Sequence, residues 1–344
     1  MSGRLTAVFA APRLVLWVLA TLFIAVAVCS LGVGRYGISA ARVVAILIDP
    51  IISANPTVSA VERTVVFTVR LPRVLLAMFA GGGLALAGAT LQGVFRNPLV
   101  GPQIIGVSSG AAFGGTLAIL LGFPSYCLLS SAFLFGLFAL FLVYGLNILV
   151  GRKNILALVL SGVVVSGFFG ALVSLVQYLA DTDEKLPAIV FWLLGSFATA
   201  NASKLELIAI PVLVASGFLL ALRWRVNLLS LGDEDAAALG VRVELLRWMI
   251  LCLVTVIVAA QVAVSGIIGW VGLIVPHMAR TVVGPDHRFM LPASLMIGSI
   301  YVVLIDDVAR TLSATEIPLG ILTALIGAPV FAILLRHSQS QGLR

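Results

Sequence analysis

The chain has 344 residues, 61% of them hydrophobic and only 10% charged, with a mean hydropathy of +1.18. That balance excludes a water-soluble domain of this size: the apolar residues run in stretches of about 20, the length that crosses a bilayer as a helix. The formal charge of +7 does not indicate nucleic-acid binding, because the basic residues punctuate the apolar runs instead of clustering.

The apolar runs are continuous rather than alternating, which predicts an all-α polytopic membrane protein and excludes a barrel. The first run, about residues 14–33, follows Arg13 and lacks a small-residue cleavage site, so it reads as a retained span and not a signal peptide. Residues 35–70 form a mixed stretch with Pro50 and Pro56, too polar to span. A second span over 71–94 carries Gly81-Gly82-Gly83 and Gly88, small residues that permit close helix contact. Further spans are expected at about 104–122, 126–150 and 155–178, the last two separated by the basic turn at 151–154. Residues 187–200 are apolar but too short to cross comfortably, and read as an interfacial or half-inserted helix on the periplasmic side. Then come a span at 205–222, two sharing 245–283 with a bend around Ser265-Gly266 and Gly269, one at 289–308 and one at 317–335. The total is about ten spans in a single transmembrane domain covering 1–344.

Ten spans put both termini on one side. With Met1 inside, 13 of the 21 basic residues but only five of the 14 acids fall inside, and this bias in basic residues sets orientation. The stretch 231–247, within a cytoplasmic segment at about 228–247, is the most charged run of the chain. Asp233, Glu234 and Asp235 suit a helix N-terminus, Ala236, Ala237 and Ala238 are strong helix formers, and Leu239 is followed by Gly240, a left-handed stop. With Gly232 before it, this predicts a short helix that needs a partner, since isolated helices below about 12–15 residues are marginal in water. Arg63, Arg70 and Arg73 are the basic residues on the wrong side for this bias.

No G-x-x-x-x-G-K-[ST] phosphate loop is present, so ATP hydrolysis by that route is not expected here. His277, His287 and His337 lack metal-ligand spacing, Cys29, Cys127 and Cys252 lie in apolar runs and imply no disulfide framework, and no nucleophile–base pair stands out. A transporter is therefore favoured over an enzyme. Asp306 and Asp307, near the outer end of a span, are candidates for a proton relay in a secondary carrier or for a helix-end ion pair with Arg310. Arg70 and Arg73 are candidates for an electropositive landing site for an acidic soluble partner.

Seven segments then carry a resemblance: VRLPRVLLAMFAGGGLALAGATLQGVFRNPL (69–99), GVSSGAA (106–112), FWLLGSFA (191–198), LGDEDAAALGV (231–241), GWVGLIVPHMAR (269–280), GPDHR (284–288) and IPLGILTALIGAPVF (317–331). In this order, across nearly the whole chain, they resemble the permease subunit of ABC importers for iron–siderophore, haem and cobalamin, the FecCD/BtuC-like family. The resemblance implies a dimer of permeases, two copies or a copy and a paralogue, with the pathway on its axis in a bacterial inner membrane. It implies two ATPase subunits below, which carry ATP and magnesium so that this chain needs no cofactor, and a periplasmic binding protein above. It implies ATPase coupling through Gly232, Asp233, Glu234, Asp235, Ala236, Ala237, Ala238, Leu239 and Gly240, and binding-protein docking through Arg70, Arg73 and Arg310. A cytoplasmic gate is implied at Asn97 and Leu99, and a pathway lined by Ser161, Ser166 and Ser174. Where many relatives carry an acid before the Pro that follows the NPL motif, this chain has Gly101. On that resemblance an iron chelate or haem is the expected cargo, with cobalamin and oxyanions such as molybdate as alternatives.

Overall fold

The computed structural model describes residues 12–52, 59–150, 155–313 and 315–342. Among them every regular element is helical. In chain order these are α1 (Pro12–Gly32), α2 (Ala40–Ile52), α3 (Ala60–Phe95), α4 (Val107–Leu120), α5 (Ser125–Val150), α6 (Ile155–Leu179) and α7 (Lys185–Leu193). There follow α8 (Ala202–Ala221), α9 (Arg223–Leu231), α10 (Asp233–Ala238), α11 (Val243–Ser265), α12 (Val271–Val283), α13 (His287–Thr311) and α14 (Leu319–Gly342). Seven helices are long and apolar enough to cross a membrane, and α4, α12 and α14 contribute three shorter apolar segments. Together they account for the ten segments read from the sequence. The basic turn at 151–154 and the first residues of the chain lie outside the described residues.

The sequence reading differs from the structure over residues 35–70. Polar composition suggested a non-spanning connection, but the described part is helical: α2 and then the start of α3, which is continuous for 36 residues. Such a helix is about 54 Å long at 1.5 Å per residue, so its first turns project past the hydrocarbon, where Glu62 and Arg63 are tolerated. A capping box at Ser59 starts it: the hydroxyl accepts from Glu62 N–H and the Glu62 carboxylate accepts from Ser59 N–H. A π-helical stretch, Val65–Arg70, interrupts it just before Arg70 and Arg73.

Helix α3 is the hub. In its most apolar window 89% of the residues are buried, against 11% for α1 at the periphery. Its glycines bring backbones together as the sequence anticipated. A Cβ on Gly81 would lie 2.3 Å from the Gly298 carbonyl of α13, and one on Gly88 would lie 1.8 Å from the Gly272 carbonyl of α12. Without a hydrophobic drive between helices in lipid, this closeness supplies the packing that holds the bundle.

Candidate functional sites at the outer mouth, the coupling segment and the gate

At the outer end the three arginines expected to receive a binding protein are instead buried and internally paired. Arg73 lies bidentate on Asp306 (2.9 Å from Nε and from Nη2) and on Glu316 (2.7 and 2.9 Å). Arg310 pairs with Asp307, approaches Asp306 at 3.8 Å, and donates to the Ser30 carbonyl at 2.8 Å. The Ser30 hydroxyl donates to Asp307 at 2.6 Å. Arg70 donates to the carbonyls of Leu31, at 2.8 Å, and Tyr36. Ser30 and Leu31 belong to the last turn of α1, whose carbonyls have no partner within the helix, so cations placed there satisfy them and complement the helix dipole. Three arginines and three acids balance, and the side chains of Arg70, Arg73 and Arg310 are not offered outward. This internal pairing accounts for basic residues at this end of the bundle, and their expected docking role rests on the resemblance. It also resolves Asp306 and Asp307 as partners in helix-end ion pairs rather than steps of a proton relay.

At the opposite end, α9 and α10 meet at Gly232, whose φ of +137° excludes other residues without strain. Helix α10 ends as its sequence predicts: Gly240 adopts φ +81°, Gly240 N–H donates to Ala237 and Val241 N–H to Ala236, the Schellman pattern. Its start differs from expectation. Asp233 does not cap the helix; its carboxylate accepts from Arg247 Nη2 at 2.8–2.9 Å, tying α10 to the buried first turns of α11. Ala236 is fully buried, and α10 exposes Glu234, Asp235, Ala237 and Ala238, followed by exposed Leu239 and Gly240. A groove of about 380 Å³ runs beside this surface between α9 and α11, lined in part by Trp224, Leu239, Arg242 and Leu245.

Asn97 and Leu99 follow α3 on an exposed loop. Arg96 ends α3 in a left-handed conformation (φ +51°), and the Asn97 side-chain oxygen accepts from Leu99 N–H at 2.9 Å, which fixes the turn. A Cβ on Gly232 would lie 3.4 Å from Arg96 Nη1, so this loop touches the coupling segment. Above Leu99 is a cavity of about 270 Å³, bounded by Leu84 of α3, residues 101–104, Ser108 of α4, and Trp270, Gly272 and Leu273 of α12. Trp270 holds φ +69°, a conformation that costs a bulky residue about 1–3 kcal/mol.

Of the three serines expected along a pathway, Ser174 lies on the open face of α6, Ser166 is half-buried, and Ser161 turns inward with its hydroxyl on the Ala157 carbonyl at 2.9 Å. The open face instead reads Val163, Val164, Gly167, Phe168, Ala171, Ser174, Leu175 and Tyr178, at the spacing of one helix stripe. Ser161 borders a pocket between α5 and α6 with Leu146, Ala157 and Val164. Among the described residues no cluster of His, Cys, Asp and Glu suited to a metal ion is present.

The FecCD transport family profile matches residues 22–337 of the chain. The chain belongs to that family. The molybdate import system permease protein MolB of Haemophilus influenzae is 50% identical over 337 residues, covering 96% of this chain and 97% of that protein. The cobalamin import system permease protein BtuC of Halobacterium salinarum is 43% identical over 82% of this chain and 76% of its own length. A solved structure described as an inward-facing conformation of a metal-chelate type ABC transporter matches with a TM-score of 0.85 at 52% identity, over 94% of this chain and 98% of that one. As a FecCD permease the chain is a multi-pass membrane subunit of an ABC importer, and permease subunits of that family are not themselves enzymes. Glu316, Ser30 and Arg247, which complete the two ends of this FecCD chain, were missed from sequence. Only Arg247 gave a signal, as a cation within one turn of Glu244 at the start of a span.

Proposed function

We propose that this chain is the membrane subunit through which an ATP-driven importer passes a solute delivered by a soluble binding protein, with both termini in the cytoplasm of a bacterial inner membrane. The observation that carries this is α10. Six residues of helix, capped at Gly240 and pinned by one ion pair, project exposed Ala237, Ala238 and Leu239 beyond the bundle, and so short a helix with an apolar surface calls for a protein partner. That partner is an ATPase subunit, two per complex, which holds the ATP and magnesium. Motion there reaches Asn97 and Leu99, the cytoplasmic gate, through the contact of Arg96 with the coupling segment. The open stripe of α6 faces the pathway between this chain and a second permease, a copy or a paralogue.

For the cargo, a molybdate-like oxyanion leads, supported by the name carried by a relative 50% identical over 96% of the chain. An iron chelate is the second reading, supported by the metal-chelate description of the 52% identical structure. Uptake into proteoliposomes holding this chain, its ATPase and its binding protein tests the function. Uptake is expected to require the ATPase and to survive a protonophore. Uptake that persists without ATPase and collapses with the protonophore would sink the proposal.

A further inference from the structure

The cavity above Leu99 lies where two half-length helices meet. Helix α4 has 14 residues and α12 has 13, both too short to cross a bilayer alone. The start of each borders the same cavity, α4 through Ser108 and α12 through its N-cap Trp270 with Gly272 and Leu273. Leu84, on the opposite wall, is about 20 Å along α3 from Leu71 at 1.5 Å per residue, which puts the cavity near mid-membrane. The first N–H groups of a helix have no partner within it and carry the positive end of the dipole. Among the described residues Val107, Ser108, Ser109 and Gly272 N–H find no hydrogen-bond acceptor.

A second feature is independent of the dipoles. Ser108 is only 8% exposed, lines the cavity, and its hydroxyl has no hydrogen-bond partner among the described residues. With no protein partner and a place on the cavity wall, this hydroxyl is free to donate to an acceptor held there. The Gln103 side chain, also on the cavity wall, makes no hydrogen bond to the described residues either. No carboxylate lines the space, and neither does any full positive charge. Donors and partial charges without a fixed counter-ion hold an anion weakly, as a conduit requires if the ion is to leave again. The volume of about 270 Å³ is ample for a small ion.

We propose that this cavity is a way-station for a small tetrahedral oxyanion, bound by the Ser108 hydroxyl, the Gln103 amide and the two convergent helix N-termini, immediately before the gate at Leu99. The proposal rests on the importer reading and selects its oxyanion branch. Its geometry is the half-helix arrangement that other membrane carriers use for anionic groups.

Gly101 supplies the test. It borders the cavity, has an ordinary φ of −121°, and a Cβ there would meet nothing within 4 Å. Gly101→Asp therefore adds a carboxylate to the site without strain, at a position where Asp also caps the following turn. The full complex in proteoliposomes is assayed for uptake of molybdate and, separately, of a ferric hydroxamate, with assembly and melting of the complex as the folding control. The expected result is molybdate uptake that falls at least tenfold in Gly101→Asp, falls about threefold to tenfold in Ser108→Ala, and is retained in Ser108→Thr. Wild-type rates in both Gly101→Asp and Ser108→Ala would overturn the proposal. So would a wild-type complex that imports the chelate and not molybdate, which leaves the importer reading intact. ATP-driven uptake of neither solute sinks the importer reading and the way-station with it.

Discussion

The two ends of this permease use arginine in opposite ways. At the outer mouth Arg70, Arg73 and Arg310 are buried in a charge-balanced network that closes the end of α1 and joins it to α3 and α13. At the opposite end one buried arginine, Arg247, reaches out to hold Asp233 on a small helix that is otherwise exposed. The outer end is over-determined, with several partners for each charge. The coupling end hangs on one pair and a glycine cap. A segment that must follow a moving ATPase is expected to come from the weakly held part of a structure, and the outer end provides the fixed frame against which it moves.

Breaking the outer network should have the largest effect. Arg73→Ala leaves Asp306 buried without its bidentate partner, and removing one member of a buried pair costs about 3–5 kcal/mol. Thermal unfolding of purified protein should show that loss. Arg73→Met with Asp306→Leu should regain much of it, because the deeply buried carboxylate is gone and Glu316, 28% exposed, can turn to water. A stable Arg73→Ala protein with weakened binding-protein docking would restore the landing-site view of this residue.

Asp233→Ala should cost less, about 1–3 kcal/mol, because Glu244 remains 3.6 Å from Arg247. Its signature is in coupling: ATP hydrolysis by the complex should become less dependent on loaded binding protein. If hydrolysis stays fully coupled, the Asp233–Arg247 tether is not the linkage. Ala237→Glu should alter stability by no more than about 0.5 kcal/mol, since the residue is exposed, while assembly with the ATPase weakens at least tenfold in a pull-down titration.

The smallest effect concerns the turn before α13. The Arg288 guanidinium, then the Asn227 amide and Arg288 N–H, hold the Asp286 carboxyl down to about 2, against the opposing effect of burial. A folded-state pKa below the unfolded value of about 3.9 means a stabilising contribution fully present above that value and lost as pH falls through about 2. The melting difference between wild type and Asp286→Asn should be constant from neutral pH to about 5 and shrink below about 4. A difference that grows on acidification would contradict this role.

How much of this was readable beforehand depends on the distance over which a residue acts. The spans, the Gly240 cap and the close-packed glycines of α3 follow from local pattern, and the structure reproduces them. The partners of the arginines do not, because Arg73 meets Asp306 across 233 positions of sequence and Arg310 meets Ser30 across 280. A basic residue at a helix end looks the same whether it is offered to a partner or consumed within the chain. Which stripe of α6 stays open is likewise set by its neighbours, which composition alone does not reveal. The cavity between α4 and α12 is assembled from segments some 165 positions apart, and only their unusual shortness hinted at it.

The measurement that most directly tests the central contrast between a fixed outer frame and a docked inner helix is photocrosslinking from position 237, with a genetically placed benzophenone side chain and the assembled complex in membranes. The account predicts one dominant product, joined to the ATPase subunit, whose yield changes with the nucleotide state. A complex that transports normally yet crosslinks position 237 only to lipid, or to nothing, would contradict it.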